Sequence, residues 1–150
     1  MSDLRLAPGA DRPSARPGTV VVNGTGSNVQ VQNNELIGHG PVAFIAQNGI
    51  QFGYGSSGSA MKNAVSGHSY TGTSTVSGGI IVVGGPGYGT CPDGNPCGYT
   101  TGIQIVQNTI ADNDVGVFLT NLDASGGAPD EQTNIKAVNN TISSAALQNQ

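Results

Sequence analysis

From Thr19-Val-Val-Val22 onward the chain carries short apolar runs in which apolar and polar positions alternate. Alternation with a period of two is the mark of a strand with one buried face. Four of these runs close on the same phrase, Asn-x-aliphatic. They are Val29-Gln-Val-Gln-Asn-Asn-Glu-Leu36, Ser59-Ala-Met-Lys-Asn-Ala-Val65, Ile103-Gln-Ile-Val-Gln-Asn-Thr-Ile110 and Ile135-Lys-Ala-Val-Asn-Asn-Thr-Ile142. The phrase places Asn34, Asn63, Asn108 and Asn140 at equivalent positions, each two residues before an aliphatic side chain. Three other runs, Gly49-Ile-Gln-Phe52, Gly79-Ile-Ile-Val82 and Gly116-Val-Phe-Leu119, share a leading glycine and interleave with the first set.

The steps between successive asparagines are 29, 45 and 32 residues, so the repeat is not metric. The extra length is confined to two stretches, Gly85-Pro-Gly-Tyr-Gly-Thr-Cys-Pro-Asp-Gly-Asn-Pro-Cys-Gly98 and Asp123-Ala-Ser-Gly-Gly-Ala-Pro-Asp-Glu-Gln132. Constant strands with variable loops are the signature of a solenoid, in which each coil registers only with its neighbours and insertions leave on the surface. The pattern predicts an all-β domain over residues 19–150: a short right-handed parallel β-helix of about four coils with long loops. Residues 1–18 have no apolar period and read as a disordered tail or linker. Gly or Asn at the corners supplies the positive φ that sharp turns require. Asn at one corner of successive coils can also hydrogen-bond along the stack as a ladder.

Composition narrows the function classes. Charged residues make up 9% of the 150, against roughly 25% in an ordinary soluble domain, and the 24 glycines are about twice the usual share. Arg5, Arg12 and Arg16 lie in the tail, which leaves Lys62 and Lys136 as the only cations beyond it. Such a body lacks the basic footprint of a nucleic-acid binder. No apolar run approaches the ~18 residues of a membrane span. The opening Met1-Ser-Asp-Leu-Arg-Leu6 has no apolar core of a secretory signal, so the chain reads as cytosolic as written or as a mature part or fragment of something longer. The two cysteines, Cys91 and Cys97, close a small turn-rich loop and are read as a disulfide, the alternative being two free thiols in a reducing compartment.

The phrases Asn48-Gly-Ile-Gln-Phe52 with Met61-Lys-Asn-Ala-Val-Ser-Gly67, and Val106-Gln-Asn-Thr-Ile-Ala-Asp-Asn-Asp-Val-Gly-Val117, resemble the coil pattern of the pectate-lyase-like superfamily of right-handed β-helix repeat proteins. The likeness covers residues 28–143 and concerns the fold. The superfamily includes polysaccharide lyases, glycoside hydrolases, epimerases, esterases, phage tailspikes, adhesins and noncatalytic members. The resemblance therefore implies carbohydrate as the ligand class and an extracellular or cell-surface bacterial setting.

Candidate chemistry is sparse. A lyase of this kind would imply a cationic base beside carboxylates that bind calcium, and Lys62 and Lys136 are the only bases on offer. A glycoside hydrolase needs two carboxylates spaced about a glycosidic bond. Asp112 and Asp114, two residues apart, are the sole cluster, and on an extended segment they would share a side. The same pair is the only calcium candidate, no other cofactor or metal being suggested. Gly38-His-Gly40 resembles the Gly-His-Gly phrase of polygalacturonases without the partner motifs that accompany it there. His39 and His68 lie about one coil apart and read as stacked surface residues, while Gly84-Gly-Pro-Gly-Tyr-Gly89 reads as a loop and not a phosphate cradle. Tyr54, Tyr70, Tyr88 and Tyr99, with Phe52, fall in or beside the loops of the central coils, where rings can platform a sugar face or cover a thin core.

The leading expectation is a noncatalytic module that binds or presents polysaccharide. The alternatives are a lyase or hydrolase acting on an acidic polysaccharide through Asp112, Asp114 and Lys62, and a structural segment that self-associates through open solenoid ends.

Overall fold

The computed structural model describes residues 18–73 and 75–143. The expected tail over 1–17, with Arg5, Arg12 and Arg16, and the closing Ala145-Ala-Leu-Gln-Asn-Gln150 lie outside the described residues. Twelve strands follow in order: β1 Val20–Asn23, β2 Asn28–Gln32, β3 Glu35–Val42, β4 Asn48–Gly53, β5 Ser57–Met61, β6 Ala64–Tyr70, β7 Gly78–Gly84, β8 Gln104–Val106, β9 Thr109–Ala111, β10 Val115–Asn121, β11 Lys136–Val138 and β12 Thr141–Ser143. One 3₁₀ turn, Pro86–Tyr88, stands after β7.

The strands form three sheets of four: β1-β4-β7-β10 (sheet A), β2-β5-β8-β11 (sheet B) and β3-β6-β9-β12 (sheet C). Every pairing is parallel and joins strands three apart in sequence. Each coil thus contributes one strand to each sheet, and four such coils stack into a β-helix-like solenoid.

The alternating positions explain the core. Inward residues of sheet A stack as Val20, Ile50, Ile80, Val117 and as Val22, Phe52, Val82, Leu119. Sheet B supplies Val31, Ala60, Ile105, Ala137, and sheet C supplies Leu36, Val65, Ile110, Ile142. In the two middle coils these side chains are sealed, with Ile50, Phe52, Ile80, Val82, Ile105 and Ile110 all at 0% exposure. Phe52 is a core residue of β4 and does not belong with the loop aromatics.

The leading glycines have a steric reason. Gly49, Gly79 and Gly116 occupy one register position of β4, β7 and β10, where sheet A turns away from sheet C. A Cβ at Gly49 would stand 2.3 Å from Val65 Cγ1, at Gly79 2.7 Å from Ile110 Cγ2, and at Gly116 2.5 Å from Ile142 Cγ2. The empty column is the space into which the aliphatic residues of sheet C pack.

The corner between sheets B and C is built from two residues. The ladder asparagines themselves do not take positive φ; the residue before each one does, with Asn33 at 58°, Lys62 at 54°, Gln107 at 55° and Asn139 at 54°. Asn63 accepts on Oδ1 from the backbone N–H and the side-chain amide of Asn34, both at 3.1 Å. Asn108 accepts in the same way from Asn63, and Asn140 from Asn108, all at 2.9 Å. The second amide hydrogen reaches sideways to a strand carbonyl: Asn63 to Val31, Asn108 to Ala60 and Asn140 to Ile105. Each inner asparagine therefore satisfies its whole amide without water, as burial at 2% and 1% for Asn63 and Asn108 demands.

The corner between sheets C and A differs from expectation. His68 is wholly buried and not a surface residue. A register shift after Ile37 sets it beside Gly40, so His39 is not its stacking partner. Its backbone N–H donates to Asn113 Oδ1, and its Nδ1 and Nε2 lie 3.0 and 3.1 Å from Asn113 Oδ1 and the Gly18 carbonyl. The sequence runs pointed to insertions at 85–98 and 123–132 only, but coils 1 and 2 also carry short loops between β3 and β4 and between β6 and β7.

Among the described residues one buried hydroxyl, Ser56 Oγ, has no partner, although the residue is fully enclosed. Replacing Ser56 by alanine removes a desolvated group that returns nothing. Chemical denaturation is expected to show Ser56→Ala neutral to about 1 kcal/mol more stable than the parent. A clear loss would show that the hydroxyl does find a partner.

Candidate functional site

The corner between sheets A and B gathers the longest loops and three of the four tyrosines. Tyr54 sits between β4 and β5 at a φ of 54°, a left-handed position that turns its ring out of the coil. Tyr88 closes the 3₁₀ turn directly after β7 and is 38% exposed. The two rings meet edge to face, with centroids 6.1 Å apart and planes at 74°. The hydroxyls of Tyr88 and Thr120, the latter on β10, are hydrogen-bonded, which ties the turn of coil 3 to the next strand of sheet A. Tyr99, on the return of the same loop, donates to Asp130 Oδ1 at 2.9 Å. Loss of solvation, and then that bond, raise the Tyr99 hydroxyl above its ordinary pKa.

The loop is held at both ends. The sulfurs of Cys91 and Cys97 are bonded, closing a six-residue separation at its tip. At its base Thr100 N–H donates to Asn121 Oδ1 at 3.0 Å and the Asn121 amide returns to the Thr100 carbonyl at 2.8 Å. The Thr100 hydroxyl donates to the Val83 carbonyl at 2.7 Å. In the neighbouring loop Asp123 accepts on Oδ1 from the Ser125 hydroxyl and the N–H groups of Ser125 and Gly127, which holds its carboxyl below the usual range. Asp93 is lowered likewise by the Asn95 N–H. Among the described residues the two lysines are Lys62, at the B–C corner, and Lys136, exposed at the start of β11 where the 122–135 loop of this corner ends. The rim is polar, hydroxyl-rich and acidic.

The enzyme candidates are scattered. Lys62 is an exposed corner residue at positive φ. Asp112 takes φ 55° at the other end of sheet C, so the Asp112-Asn113-Asp114 segment is a corner and not extended. Asp114 receives the Ser69 hydroxyl on Oδ1 at 2.6 Å and the N–H groups of Tyr70 and Ser77 on Oδ2 at 2.8 and 3.3 Å. Its carboxylate clamps both ends of the β6–β7 loop. The paired stretch Ala64–Ser66 with Thr109–Ala111 of sheet C separates Lys62 from this corner. Tyr70 is buried there too, at 9% exposure, away from the other tyrosines. Among the described residues no three His, Cys, Asp or Glu side chains come together as a metal site.

Comparison with protein-family models, curated proteins and solved structures returns no match. Sequence reasoning missed Thr100, Thr120, Asn121 and Asp130 at the corner between sheets A and B. The one signal available was the position of Thr120-Asn121 at the close of the Gly116-Val-Phe-Leu119 run, where polar residues follow a strand and face the preceding long loop.

Proposed function

We propose that this protein is a noncatalytic β-helix module that binds and presents carbohydrate outside a bacterial cell. The hand of the coil is taken as right-handed, the hand of nearly all parallel crossover connections. The observation that carries the reading is the Tyr54–Tyr88 ring pair, standing beside the Thr120 hydroxyl at a disulfide-closed loop. Aromatic faces pack against the C–H faces of sugar rings while hydroxyl and carboxylate groups at their edge exchange hydrogen bonds with sugar hydroxyls. A rim in which carboxylates outnumber the one bordering cation, Lys136, disfavours polyuronates and favours a neutral glycan. The disulfide suits an oxidising compartment, and the likeness of the coil phrases to the pectate-lyase-like superfamily points to the same ligand class.

The catalytic alternative, a lyase or hydrolase on an acidic polysaccharide, has less support, because its residues stand at different corners and Asp114 is engaged by three donors. Affinity electrophoresis against a panel of soluble neutral and acidic polysaccharides separates the readings. Retardation by a neutral glycan is expected, with binding weakened about tenfold or more by Tyr88→Ala, a loss of about 1.4 kcal/mol, and an unchanged circular dichroism spectrum. The reading fails if no polysaccharide binds, or if Tyr54→Ala and Tyr88→Ala both leave binding intact. Release of unsaturated product from a polyuronate, abolished by Asp114→Asn, would replace it with the enzyme.

A further inference from the structure

His68 stands apart from the tyrosine corner, wholly buried at the C–A corner, and each of its ring nitrogens faces an oxygen. The Asn113 amide fixes the first of these contacts. Its Nδ2 donates to the Val65 and Ala111 carbonyls at 3.1 and 2.9 Å, so the atom turned to His68 is Oδ1, which already accepts the His68 backbone N–H at 3.0 Å. Turning the amide over would set Nδ2 against that N–H and break both bonds to the strand carbonyls. Nδ1, 3.0 Å from the same Oδ1, therefore carries a hydrogen. Nε2 lies 3.1 Å from the Gly18 carbonyl oxygen, which can only accept. A neutral imidazole has one N–H and cannot serve both oxygens. The imidazolium has two and does.

We propose that His68 is a proton-operated latch: as the imidazolium it ties the segment entering β1 to coils 2 and 3, and on losing its proton it lets that segment go. The Nε2 bond is the one that yields. Asn113 Oδ1 is buried and answers two donors of His68, whereas Gly18 is half-buried and, among the described residues, is otherwise held only by its own N–H on the Ile37 carbonyl at 3.0 Å. The neutral ring keeps Nδ1–H on Asn113 and sets the Nε2 lone pair against the Gly18 carbonyl, a repulsive contact. Gly18 also covers the core: a Cβ there would lie 3.2 Å from Leu36 Cδ2, and Leu36 is 8% exposed. Opening the latch therefore uncovers Leu36 and frees the edge of β3 at Ile37.

The titratable groups on the surrounding elements have other work or face outward. On β3 the His39 side chain is exposed and Glu35 stands at the far end of the strand, while β4 and β7 carry no titratable residue. On β6 itself Tyr70 lies two residues on. At the 112–114 corner Asp112 is exposed, and Asp114, whose backbone N–H donates to the His68 carbonyl at 3.2 Å, gives its carboxylate to Ser69, Tyr70 and Ser77.

The test titrates the full-length chain from about pH 5 to 8, the range in which an imidazole changes charge. Nitrogen NMR of the rings is read beside amide hydrogen exchange corrected for its intrinsic pH dependence. At the acidic end both His68 nitrogens are expected to be protonated and the Gly18 N–H protected. As the Nε2 proton is lost, Gly18 protection is expected to fall by about tenfold or more, the weight of one charge-assisted hydrogen bond. The chain has two histidines, so His39→Gln leaves a single ring signal and is expected to leave the fall in place. A His68 ring that keeps one protonation state throughout overturns the proposal. So does Gly18 protection that does not follow the His68 signal, or a fall that disappears in His39→Gln.

Discussion

Replacing Asn108 by alanine is expected to lower stability by about 4 kcal/mol, one of the two largest single effects in this protein. The side chain joins three coils. Its Oδ1 takes both donors of Asn63, and its amide reaches Asn140 in the next coil and the Ala60 carbonyl in sheet B. Asn63 and Asn108 are 2% and 1% exposed, so water cannot replace what is lost. Each buried orphan costs about 1–3 kcal/mol, and the truncation leaves three. Asn34→Ala is the internal control. Its side chain sits at the end of the ladder with two bonds, one of them to an exposed strand carbonyl. A loss of about 1 kcal/mol or less is expected there. Thermal and urea denaturation of the pair measures the contrast, which in melting temperature amounts to a gap on the order of 10 °C. Equal losses at Asn34 and Asn108 would mean that the ladder does not act through buried amide satisfaction.

The ladder was legible because a solenoid repeats one local problem. At each B–C corner an extended strand must turn and the amide must pair along the stack, so the phrase Asn-x-aliphatic recurs at 34, 63, 108 and 140. The turn itself was less visible. The left-handed φ belongs to Asn33, Lys62, Gln107 and Asn139, and lysine and glutamine there carry no turn signature. Tertiary context imposes the conformation: the Lys62 N–H donates to Val106 and the Gln107 N–H to Val138, each at a fixed place in the next coil. A single-chain pattern of apolar positions contains no information about that partner.

The C–A corner was hidden for a related reason. Its rungs are chemically mixed: His68 in coil 2 stacks on Asn113 in coil 3, and Gln47 holds the loop of coil 1 by accepting the His39 N–H and donating to the Gly40 and Ser69 carbonyls. No repeated residue marks it, so Asp114 read as half of a carboxylate pair when its work is to clamp a loop. The tyrosines were legible as residues but not as a group. Tyr54 and Tyr88 are 34 positions apart in sequence, and only the stacking of coil 3 on coil 2 brings their rings to 6.1 Å. Tyr70 shows no sequence difference from them and is buried at the opposite end of the coil.

Gly79→Ala is expected to cost about 3 kcal/mol, at the upper end of what overpacking a core exacts. An added Cβ would lie 2.7 Å from Ile110 Cγ2, 2.8 Å from the Gly116 carbonyl oxygen and 3.0 Å from Asn113 Nδ2. None of these neighbours can step aside. Ile110 is fully buried, the Gly116 carbonyl belongs to β10 in the paired sheet, and the Asn113 amide is committed to the Val65 and Ala111 carbonyls. Relief therefore requires sheet A to move away from sheet C, which opens the narrow core along its length and loosens the corner that holds His68. Gly116→Ala, one coil further on in the same column, meets Ile142 side-chain atoms within 4 Å. Ile142 is 54% exposed at the open end and swings aside, so a loss of about 1 kcal/mol or less is expected. The comparison isolates the backbone term, because both changes add the same methyl to the same register position. A loss at Gly116 as large as at Gly79, measured by urea denaturation, would show that Ile142 does not give way and would overturn the packing argument.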